Sequence, residues 1–126
     1  MLFLKMCTAI AAVLISTHSF AEEPSELVEK GKKLSLEHCS RCHVVDPSKP
    51  FSGISSTPSF SLLVNALDDW EERFSSFQVR LPHPSIIRME DEKADPDVED
   101  LRPPIELKYD DIEALVAYAR SLIKPE

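Results

Sequence analysis

The chain has 126 residues, 43% of them apolar and 7% aromatic, which leaves room for one domain with a small interior. Its formal net charge of −8 excludes nucleic acid and anionic membrane surfaces as natural partners, because phosphate binding needs a basic face. Residues 1–21 read as an export signal. Lys5 supplies the positive charge, Cys7 to Ile15 is almost wholly apolar, and Ser19-Phe20-Ala21 ends with small residues where a signal peptidase reads. The apolar run is too short to span a bilayer. Cleavage near Ala21, a mature domain over residues 22–126, and no stable membrane insertion are therefore expected. Cys7 leaves with the signal, so only Cys39 and Cys42 remain, too close together for a stapling disulfide framework.

From Ser25, Leu27, Val28, Gly31, Leu34 and Ser35 recur at three- and four-residue spacing, with charged residues between them. That periodicity predicts an amphipathic helix of about three to four turns, opened by Pro24-Ser25. Beyond His43, Asp46-Pro47, Lys49-Pro50, Ser52-Gly53 and Thr57-Pro58 predict a long loop. A second helical stretch is expected between Ser59 and Phe77, with Leu62, Leu63, Ala66, Leu67, Trp70 and Phe74 on one face and Asp68, Asp69, Glu71 and Glu72 largely opposite. Prolines then punctuate residues 81–104, and the acidic segment Glu90 to Asp100 reads as a solvated surface loop. Asp110 or Asp111 caps a last helix whose stripe is Ile112, Leu115, Val116, Ala119, Leu122 and Ile123. No strand-like alternation of any length occurs, so the class is all-α with long loops.

Cys39-Ser40-Arg41-Cys42-His43 is a C-x-x-C-H motif. Two thiols one helical turn apart suit addition to the two vinyl groups of one porphyrin, and the next residue sets an imidazole beneath the iron. A thioredoxin-like C-x-x-C follows a strand, whereas this one follows an amphipathic helix. A structural zinc site needs two further ligands at comparable spacing, and the mature chain offers only His38, His43 and His83. Covalent haem c is the reading that uses all three residues.

With Gly31 and Leu34 before that motif, Pro58 after it, and Leu115, Tyr118, Ser121 and Leu122 in the last helix, the chain resembles the monohaem, class I-type cytochrome c family. The resemblance implies a small cytochrome c fold of three to four helices whose first and last helices cross at Gly31 and Tyr118. It implies haem thioethers at Cys39 and Cys42, His43 as the proximal iron ligand, and a methionine sulfur as the distal one. Met89 is the only methionine left after export. His83, between Pro82 and Pro84, is the rival ligand and would give a bis-imidazole iron of lower potential. The function implied is periplasmic electron transfer between redox partner proteins, without substrate catalysis, and the acidic charge favours a partner with a basic docking surface. The alternative is a haem-based gas-binding or sensor protein with an open or labile sixth site.

Overall fold

The computed structural model describes residues 25–94 and 103–125. The expected signal at residues 1–21 and most of the acidic run, from Asp95 onward, lie outside the described residues. Helix α1 spans Ser25–Leu34 and continues into a wider turn, Ser35–Cys39. That widening is recorded by an i→i+5 bond in which the Ser40 N–H donates to the Ser35 carbonyl at 3.0 Å. Buried Ser35 donates its hydroxyl to the Gly31 carbonyl at 2.7 Å, the kind of back-bonding that bends a helix. Such wide turns occur frequently at functional sites, and this one delivers Cys39.

The second helical stretch is two helices, α2 (Phe60–Ala66) and α3 (Trp70–Ser75), rather than one. Ser59 caps α2, its hydroxyl accepting from the Leu62 N–H at 3.1 Å, while Leu67 is extended. The acids that were expected to form a polar face instead bracket a helix start, where carboxylates meet the positive end of the helix dipole. Asn65 ties α2 to the chain end, donating to the Leu122 carbonyl at 3.1 Å and accepting from the Lys124 N–H at 2.8 Å.

A pair of strands was not expected. β1 (Ile87–Met89) and β2 (Ile105–Leu107) pair in parallel, with Ile87 opposite Ile105 and Met89 opposite Leu107. Three residues are too few for a period-2 pattern to register. With four α-helices and so little strand among the described residues, the class remains all-α. Helix α4 runs Tyr109–Ser121, and the expected caps Asp110 and Asp111 lie inside its first turn. Lys108 precedes the helix, and its N–H donates to the Asp111 carboxylate at 2.9 Å, so Asp111 closes the turn from its third position.

Helix α4 crosses α1 at Gly31. A β-carbon there would strike the Ala114 carbonyl and come within 2.8 Å of Tyr118 Cβ, so only glycine allows this approach. The core forms two apolar clusters. One holds Val45, Phe60, Val64, Phe74, Tyr118 and Ala119. The other holds Met89, Leu107, Ile112 and Leu115. Cys39 packs against both. Among the described residues, no helix is long and apolar enough to cross a membrane.

Candidate functional site

The C-x-x-C-H residues sit where α1 ends. The Cys42 and His43 N–H groups both donate to the Cys39 carbonyl, at 3.1 and 2.9 Å, which keeps the motif in a compact turn with its two thiols on one local frame. Both cysteines are free and partly buried. Burial, reinforced by the neighbouring Cys42, pushes the Cys39 thiol up to about 11. Redox-active C-x-x-C pairs lower the pKa of their attacking thiol to make a nucleophilic thiolate, and the Cys39 thiol is shifted the other way. Among the described residues, no cluster of three His, Cys, Asp or Glu side chains is arranged to hold a metal alone.

The loop after His43 folds back on the motif. The Ile54 N–H donates to the Cys42 carbonyl at 2.9 Å, and the Phe60 N–H donates to the Val44 carbonyl at 3.0 Å. Gly53 permits this return with a φ of 77°; a β-carbon there would lie 2.9 Å from both the Cys42 oxygen and the His43 carbonyl carbon. The loop then brings the Pro58 carbonyl within 2.7 Å of His43 Nδ1. A carbonyl only accepts, so Nδ1 carries the proton and donates it, which leaves the Nε2 lone pair available for a metal. Burial lowers the imidazole's pKa, and the Pro58 bond opposes that shift while nearby His83 adds to it. A neutral ring with a fixed tautomer is what an iron ligand requires.

The two residues expected at the distal position lie in different settings. Met89 is 4% exposed, on β1 opposite Leu107, packed within the second apolar cluster. His83 is half-buried in a short 3₁₀ turn, His83–Ser85, and its ring lies near that of His43, with centroids 6.2 Å apart. Sequence reasoning did not anticipate the Pro58 carbonyl as the proximal partner or Gly53 as the residue that brings it there. The Pro58 contact is made by backbone and so leaves no side-chain signature.

Paired part-buried thiols, an adjacent imidazole with Nε2 left over, and apolar clusters meeting at Cys39 fit a thioether-bound haem. The cytochrome c family model matches residues 28–122, whereas no curated protein and no solved structure matches the chain. The chain belongs to the cytochrome c family and carries covalent haem c.

Proposed function

We propose that this protein is a periplasmic electron carrier, exported by residues 1–21, that shuttles single electrons between redox partner proteins and catalyses no substrate reaction. Family membership carries haem-based electron transfer in general. The observation that supports the narrower reading most directly is the His43 to Pro58 bond, because a held tautomer keeps the iron's surroundings alike in both oxidation states. The bound haem would supply a one-electron ferric/ferrous couple. Cys39 and Cys42 would hold it as thioethers, His43 would ligate its iron, and the two apolar clusters would exclude water. The net charge of −8 favours brief docking on a basic surface.

Voltammetry of the haem-loaded protein tests this reading. A reversible one-electron wave that added peroxide leaves unamplified is expected. A catalytic current with peroxide would overturn it in favour of an enzyme. Replacing both cysteines, Cys39→Ser and Cys42→Ser, is expected to abolish the covalent mass increment of one haem in the denatured chain.

A further inference from the structure

We propose that His83, and not Met89, is the sixth ligand of the iron that His43 holds, so that the protein is a bis-histidine cytochrome; the proposal rests on the haem-carrier reading above. The two imidazole rings are nearly parallel, 11° apart, with centroids separated by 6.2 Å. An imidazole nitrogen binds a transition metal at about 2 Å and lies about 1 Å from its own ring centre, so two imidazoles on opposite sides of one metal have centroids about 6 Å apart. The observed separation leaves the space that one iron between the two rings would need.

The hydrogen bonds independently favour the same pairing. His83 Nδ1 lies 3.0 Å from the Arg80 carbonyl, as His43 Nδ1 lies 2.7 Å from the Pro58 carbonyl. Both rings therefore carry the proton on Nδ1, and among the described residues neither Nε2 has a hydrogen-bond partner. A metal-bound histidine typically gives its other N–H to a carbonyl or carboxylate in this way. An ordinary surface histidine has no need of a fixed tautomer.

The turn carrying His83 is held firmly. The His83 N–H also donates to the Arg80 carbonyl, at 3.0 Å. Arg80 itself donates to the Ser76 hydroxyl at 2.9 Å and to the Glu72 carboxylate at 2.8 Å, which anchors the turn to α3. Phe77 stands edge-on to the His83 ring, with centroids 5.4 Å apart and planes at 86°. Arg80 and Phe77 are thus positioning residues for the distal imidazole. Met89, by contrast, is committed to the core by its strand register with Leu107 and its packing against Ile112 and Leu115. Its unbranched side chain fills that space, a common use of methionine.

Two imidazoles would set a lower potential than an imidazole and a thioether, and would close the iron to gaseous ligands. The test uses the haem-loaded full chain. The ferric spectrum is expected to lack the weak red band of a thioether-ligated iron, and Met89→Leu is expected to leave the spectrum and the potential unchanged. His83→Ala is expected to let ferrous iron take up carbon monoxide, and added imidazole is expected to restore the six-coordinate spectrum. A red band in the parent that disappears in Met89→Leu would overturn the assignment. So would a His83→Ala protein that stays six-coordinate and refuses carbon monoxide. If His83→Ala does not fold, the parent spectrum and Met89→Leu still decide. A denatured chain without the mass of one haem would overturn the carrier reading itself, whereas haem attached without ligation by His83 would overturn this inference alone.

Discussion

Gly31 and Gly53 are the only two glycines in the chain, and each sits where a side chain would collide with neighbouring backbone. Gly31 admits the Ala114 carbonyl from α4; Gly53 lets the loop press onto the backbone of Cys42 and His43. Beside the helix crossing, the buried Tyr118 hydroxyl donates to the Val45 carbonyl at 2.7 Å, fixing α4 to the segment just past the motif. Gly31→Ala is expected to destabilise the haem-loaded protein by about 2 kcal/mol or more, because overpacking here meets backbone rather than a movable side chain. Thermal unfolding followed by circular dichroism should show a midpoint lower by about 10 °C. An unchanged midpoint would mean that the helices do not cross this closely.

Helix α4 depends on Asp111 for its start and for its tie to α1. Its carboxylate accepts the Lys108 N–H and meets Lys30 of α1 at 2.8 Å. Partial burial raises its pKa, but the bonds from Lys30 and Lys108 outweigh that and hold it below the usual carboxylate value. A folded-state pKa below the unfolded value stabilises the fold above the unfolded pKa, and that contribution is lost as pH falls through the folded one. Asp111→Ala is therefore expected to cost about 1 kcal/mol near neutrality. The difference from the parent should shrink below about pH 4, as denaturant titrations at several pH values would show. The two helices α2 and α3 illustrate a limit of periodicity. Their apolar spacing reads as one helix, yet Ser59 and the acids around Trp70 mark two helix starts.

For the molecule as a whole, charge governs encounter and the two clusters govern the site. The net charge of −8 predicts that electron transfer from a cationic small-molecule reductant slows as salt rises, while that from an anionic one quickens. Stopped-flow rates across about 0.01 to 0.5 M ionic strength would check this, and equal slopes for the two reagents would mean that the docking face is not acidic. The sequence by itself marked the chain as helical and offered Cys39, Cys42 and His43 as the candidate haem-attachment set, because apolar periodicity within one helix and thiol spacing within one turn are local properties. Only the tertiary structure decided the rest. It brought the Pro58 carbonyl to His43 from fifteen residues away, paired Met89 with Leu107, and set His83 beside His43. Each of these contacts depends on where a proline-rich loop returns after leaving the helices, and residue spacing along the chain carries no record of a through-space approach.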